Sequence, residues 1–184
     1  VHSFDSNLLE FRRIWPLLKH ASATSYAVDV LGWGFTSKPE HLAYSVEEKR
    51  THLRSFVKQV IGDSPVIFGG ASVGGAVAID FCLKYPDDVS QLVLIGAQAF
   101  VNKESSPILE KIKPLAAFGA AVLKAQWLRR IAVRLSYVSP ELRNEDSMRV
   151  GRLHTLTPGW DYATEKFVSL YLRPAVSLRR VAVK

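Results

Sequence analysis

The chain has one cysteine and one methionine in 184 residues. Cys82 alone cannot close an intrachain disulfide, which excludes a disulfide-stapled scaffold and favours a reducing compartment. Its place between Phe81 and Leu83 marks it as a core residue. His and Cys nowhere cluster at metal-ligand spacing, so no metal is implied. Internal repeats and low-complexity linkers are absent too. The most apolar long stretch, 114–137, is broken by Lys124, Arg129, Arg130 and Arg134, so it reads as a helix of a globular protein and not as a membrane span. Acidic residues are in deficit: 17 against 24 basic ones, a net charge of +7. Part of the excess gathers at Arg173, Arg179, Arg180 and Lys184, which reads as a solvated basic face. No basic stripe interleaves with the aromatics, so no nucleic-acid partner is expected.

What is present is a hydrophobic content of 48%, enough at this length for one domain with a buried core. Strand-like and helix-like runs alternate through its first hundred residues, the pattern of a parallel α/β sheet. Asn7 to Lys19 repeats Leu8, Phe11, Trp15 and Leu18 along one helical face, with Pro16 as a kink point. Ser45 and Glu48 form a capping box that opens a second helix, ending near Gly62. Strands are expected around 25–29, 65–70 and 91–96. Beyond Phe100 the strand signal stops, and helix-like runs follow around 108–123, 126–137 and 160–172, with breaks at Pro140, Pro158 and Pro174.

The most informative segment is Gly70-Ala71-Ser72-Val73-Gly74, set between the strand-like 65–69 and a helix-like run from Gly75 to Tyr85. A serine held in a tight strand-to-helix turn needs small flanking residues, which Gly70 and Gly74 supply. The turn lifts the Ser72 hydroxyl out of the sheet, toward the free N–H groups at the start of the next helix. That arrangement is a nucleophile elbow.

Two further segments join it: His2-Ser3-Phe4-Asp5-Ser6, and Asp29-Val30-Leu31-Gly32-Trp33-Gly34-Phe35-Thr36 after strand-like 25–28. In this order and spacing the three blocks resemble the α/β-hydrolase superfamily. Tyr85-Pro86-Asp87-Asp88-Val89 and Leu92-Val93-Leu94-Ile95-Gly96 match its next helix end and strand, and 151–160 is similar to cap segments of plant and algal members. The likeness implies an α/β-hydrolase-type parallel sheet over residues 1–100 and a helical cap over 101–184, with the core incomplete. Ser3 stands where the family usually has glycine, and Thr36 where it has serine.

The resemblance implies Ser72 as nucleophile, with the Phe4 and Val73 amides as the oxyanion hole and Gly70 and Gly74 shaping the elbow. It implies hydrolysis of a small or lipid-like carboxylic ester, with no metal or organic cofactor. A serine at the elbow argues against epoxide hydrolase and haloalkane dehalogenase chemistry. The family's acid and histidine follow strands that have no counterpart here, so the chain reads as a hydrolase truncated at both ends, with only Val1 left of the strand that should lie mid-sheet. The location implied is intracellular, and plastidial if the plant and algal likeness holds. The alternative is a non-catalytic hydrolase-like protein that binds a ligand or partner, its Ser72 idle. His2 and Asp29 are expected to organise loops, and His154 to lie on the surface or to pack. Trp127 and Trp160, with Phe118 and Tyr162, are expected to form the cap's own core or to line an acyl pocket.

Overall fold

A computed structural model describes residues 1–97 and 124–172. The expected first helix is split in two. Asn7 accepts the Leu9 amide through its side chain and opens a 3-10 turn, Leu8–Phe11. The α-helix proper, α1 (Trp15–His20), begins only where Pro16 falls in the first turn, the place where a missing N–H loses nothing. α2 (Val46–Phe56) carries both bonds of the Ser45–Glu48 capping box, at 3.2 and 2.8 Å. It runs on through a π-helical turn, Val57–Ile61, and stops at Gly62, whose φ of 109° suits a residue without a Cβ.

β1 (Val66–Ala71) then leads directly into α3 (Val73–Lys84). Pro86 opens a short 3-10 turn and disfavours helix at Tyr85, so α3 ends one residue before it. β2 (Val89–Ile95) returns parallel to β1, pairing Phe68 with Leu92 and Ala71 with Ile95. Leu53 and Val57 from the first helical layer meet Phe68, Ala78 and Phe81 to form the main core, in which the Phe68 and Phe81 rings stack at 4.5 Å. Ile67 on β1, and Leu92, Val93, Leu94 and Ile95 on β2, are exposed.

The strand expected at 25–29 does not form; residues 23–30 join no ladder, and the sheet among the described residues has two strands. The place beside β1 is held by Val1, whose nitrogen donates to the Gly69 carbonyl at 2.6 Å and whose carbonyl accepts from the Ala71 amide at 3.1 Å. The next bond across is made by a side chain: the Val30 amide donates to His2 Nε2 at 3.1 Å.

The later part is helical where described. α4 (Gln126–Ser136) and α6 (Trp160–Leu172) match the expected runs. α5 (Glu145–Leu153) was not anticipated, although Asn144 accepting the Ser147 amide, followed by Glu145 and Asp146, is a legible helix start. The run at 108–123, Phe118, Pro174 and the expected division at residue 100 lie outside the described residues.

Candidate functional site

Ser72 occupies the single-residue joint between β1 and α3. Its φ of 51° and ψ of −120° are outside the regions open to most side chains, a strain that surrounding contacts must hold in place. Those contacts are specific. The Ser72 amide donates to the Ile95 carbonyl at 3.0 Å, and its carbonyl accepts from Gly75 at 3.0 Å. The turn closes because three glycines let backbone meet backbone. A Cβ on Gly70 would drive into the Gly74 carbonyl, one on Gly74 into the carbonyls of Val1 and His2, and one on Gly75 into Ala97. The Ser72 hydroxyl has no hydrogen-bond partner among the described residues, and α3 begins at Val73, so the Val73 and Gly74 amides precede the first intrahelical bonds.

Contact between Gly74 and the Val1 and His2 carbonyls lays the 1–4 segment across the start of α3. Phe4 and Val73 thereby enter one apolar cluster with Val30, Trp33 and Phe167. Phe167, from α6, stacks on Phe4 at 4.9 Å and meets Trp33 edge-on at 4.7 Å. Residues expected to serve one site therefore lie together, and the later helical segment contributes a ring beside them.

The histidines nearby are spent on structure. His2 is fully buried; its Nδ1 faces the Ser3 carbonyl at 2.8 Å, so it carries the proton, and Nε2 accepts from Val30. Burial lowers its pKa against the opposing pull of the Ser3 carbonyl and of Asp29. The 3.6 Å approach of Nε2 to Asp29 is thus no ion pair, since both atoms present lone pairs. Asp29 instead accepts the Leu8 and Phe35 amides, at 2.6 and 2.9 Å, and occupies the space a Cβ on Gly34 would need. Ser3 does not have positive φ, and the Glu10 carboxylate holds both its amide (3.0 Å) and its hydroxyl (2.7 Å). The departure from the family's glycine is therefore accommodated without strain at this residue.

His154 is buried in a network that the sequence reading did not foresee. Asn7 has its orientation set because its oxygen accepts from Leu9; its amide nitrogen therefore donates to the Val150 carbonyl (3.0 Å) and to His154 Nδ1 (3.2 Å). The ring proton accordingly sits on Nε2, which donates to Asp5 Oδ1 at 2.8 Å. Trp160 Nε1 donates to the same oxygen at 3.0 Å, and Arg129 pairs with Oδ2. Asp5, beside Phe4, is thus clasped by three side chains from the helical segment. A second clasp is Lys38, buried, whose three N–H groups go to the Gly34 and Thr36 carbonyls and to Thr157 Oγ1, each at 2.9 Å. Partners 119 to 155 residues apart leave no local sequence signal.

Trp160 is fully buried, whereas Trp127 is 60% exposed and so belongs neither to a core nor to an enclosed pocket. Two cavities, of about 310 and 440 Å³, lie between α4 and α5 and are not lined by Ser72. Among the described residues no group of three His, Cys, Asp or Glu side chains could hold a metal ion, and no helix is long and apolar enough to cross a membrane.

A family model described as alpha/beta hydrolase fold matches residues 1–181. The chain is 39% identical over 169 residues to the alpha/beta hydrolase domain-containing protein VTE7 of Arabidopsis thaliana, covering 91% of this chain and 51% of that protein. It is 34% identical over 100 residues to Lipase 1 of Psychrobacter immobilis, covering 54% of this chain and 31% of the lipase. The chain thus spans about half or less of the length of these relatives. A crystal structure of a probable hydrolytic enzyme from Pseudomonas aeruginosa PAO1 superposes with a TM-score of 0.69 over 95% of this chain and 57% of that one; at 20% identity it bears on the fold alone.

Proposed function

The chain belongs to the α/β-hydrolase fold family, and on that premise we propose that it carries the nucleophile of a serine hydrolase acting on carboxylic esters. The observation that carries the reading is the strained backbone of Ser72, held between β1 and α3 by Gly70, Gly74 and Gly75, with no partner for its hydroxyl among the described residues. Strain of this kind persists only where surrounding structure over-determines it, and it clusters at catalytic positions.

In the proposed reaction Ser72 Oγ attacks the ester carbonyl and its proton passes to a general base. The carbonyl electron pair moves onto oxygen, where the Phe4 and Val73 amides receive the charge; collapse breaks the C–O bond and the protonated base gives its proton to the departing alcohol oxygen. Water then releases the acid from the acyl-enzyme by the same steps. Each oxyanion donor is worth about 3 kcal/mol of transition-state stabilisation in comparable enzymes. Neither His2 nor His154 has a nitrogen left for the base, and the reading takes base and acid from a histidine and a carboxylate outside this chain, as the family likeness implies. The apolar cluster of Phe4, Trp33 and Phe167 and the lipase relative support a lipid-like acyl group.

The test is reaction of the full-length protein with a fluorophosphonate, followed by mapping of the adduct. The label is expected on tryptic peptide 59–84, at Ser72, and both labelling and turnover of a short-chain aryl ester should vanish in Ser72→Ala. A folded protein that neither labels nor turns over ester would support the non-catalytic binding reading instead.

A further inference from the structure

The outer face of the helical segment combines two features that its internal packing does not use. Along α4, Trp127 and Ile131 lie one turn apart on the solvent side, 60% and 43% exposed, and Leu135 follows at 83%. Across the groove, Leu153 and Leu156 at the end of α5 are 42% and 64% exposed. Between the two helices lie the cavities of about 310 and 440 Å³, which share Arg130, Glu145 and Met148. Their linings bring together Arg130, Arg134, Arg143, Arg149 and Arg152 against a single carboxylate, Glu145.

That carboxylate is already engaged by Arg130 at 3.3 Å. Arg143 is turned to the Tyr137 and Val138 carbonyls at the end of α4, which leaves its charge uncompensated. Arg134, Arg149 and Arg152 have no carboxylate partner among the described residues, and the Arg152 Nε is buried without any hydrogen-bond partner. Guanidinium groups in a groove, flanked by exposed indole and aliphatic side chains, match an interface with phosphate groups at one depth and acyl chains just below.

We propose that the α4–α5 face docks on an anionic phospholipid bilayer, with the arginines of the groove taking lipid phosphates and Trp127, Ile131 and Leu135 entering the headgroup–acyl boundary. Charge complementarity selects this occupant. A protein partner would have to present acidic groups and an apolar strip in matching register, whereas an anionic bilayer offers phosphates above acyl chains at every point of its surface. A nucleic acid would satisfy the arginines and leave the aliphatic stripe in water. The proposal does not depend on the chemistry assigned to Ser72.

The test is flotation of the full chain with vesicles of phosphatidylcholine alone and of phosphatidylcholine mixed with phosphatidylglycerol. Binding is expected to the mixed vesicles only, and to weaken as salt rises. Arg134→Glu combined with Arg149→Glu should lower partitioning by about tenfold or more. Trp127→Ser combined with Ile131→Ser should also release the protein, and acyl chains brominated near the headgroup should quench tryptophan emission in the parent but not in Trp127→Phe. These positions are exposed, so circular dichroism should be unchanged in every variant.

Equal binding to both vesicles, or binding indifferent to both double variants, would overturn the proposal and assign the affinity to the bare apolar sheet. Transfer RNA that binds as tightly as the mixed vesicles, through the arginines and regardless of Trp127, would also overturn it.

Discussion

His154 Nε2 donates to Asp5 Oδ1 at 2.8 Å, and through this bond the helical segment holds the loop that carries Phe4. Asp5 sits at φ 48°, a left-handed conformation uncommon for a residue other than glycine, and its side chain is anchored. The anchors are His154, Trp160 and Arg129, the first two fully buried. Asp5→Ala removes the buried carboxylate on which His154, Trp160 and Arg129 converge. Loss of about 3 to 5 kcal/mol in urea denaturation is expected, as for other buried pairs broken on one side. His154→Phe keeps the volume but loses both ring bonds and should cost about 2 kcal/mol. A change under half a kcal/mol in both would show that the clasp does not hold the loop.

The elbow glycines can be set against a glycine that does nothing. Gly70→Ala forces a methyl group into the Gly74 carbonyl and should cost about 3 kcal/mol or more, because backbone on both sides leaves nowhere to relax. Gly151 lies inside α5 with open space around its Cβ position. Gly151→Ala should therefore stabilise by about 0.5 to 1 kcal/mol through helix propensity alone. Thermal melts of the two variants, side by side, check both signs.

Ser72 makes a sharper case, since strain and proposed chemistry share one residue. Ser72→Gly relieves the cost of φ 51°, ψ −120° and should raise stability by about 1 kcal/mol, while Ser72→Ala keeps the strain and should be neutral. Both should abolish fluorophosphonate labelling if Ser72 is the nucleophile. A destabilised Ser72→Gly would mean that the backbone is not strained there.

Lys49 predicts a pH dependence. It is 4% exposed, donates to the Tyr44 carbonyl at 2.6 Å, and has the rings of Trp33, Tyr44 and Phe167 within 5.2 to 5.6 Å of its Nζ. Burial lowers its pKa from 10.5 to about 8, against the opposing pull of Glu48. Between about pH 8 and 10 the unfolded chain therefore holds a proton that the folded chain has released, so stability rises with pH across that window. Above it Tyr44, raised by burial to about 12, works in the opposite sense. The rise attributable to Lys49 is of order 3 kcal/mol and should be missing in Lys49→Met. Parallel slopes in the two proteins, measured by denaturation from pH 7 to 10, would refute it.

Local order was legible where short-range chemistry decides it. Ser45 and Glu48 announce a helix start through bonds made within one turn, and Gly70 to Gly74 announce a sharp joint because only residues without a Cβ let a strand and a helix meet that closely. α5 is equally legible in Asn144, Glu145 and Asp146, whose cap and first-turn charges act within one turn. The family likeness rested on the same local blocks. Tertiary structure alone decided the rest. Residues 25–29 have strand composition but form no strand, because a strand exists only through a neighbour's hydrogen bonds and this segment joins no ladder among the described residues. The clasps of Asp5 and Lys38 join residues more than a hundred positions apart, where no periodicity or spacing can pair them. Whether a buried charge is tolerable depends on what surrounds it from every side, and that is settled only when the helices close over the loops.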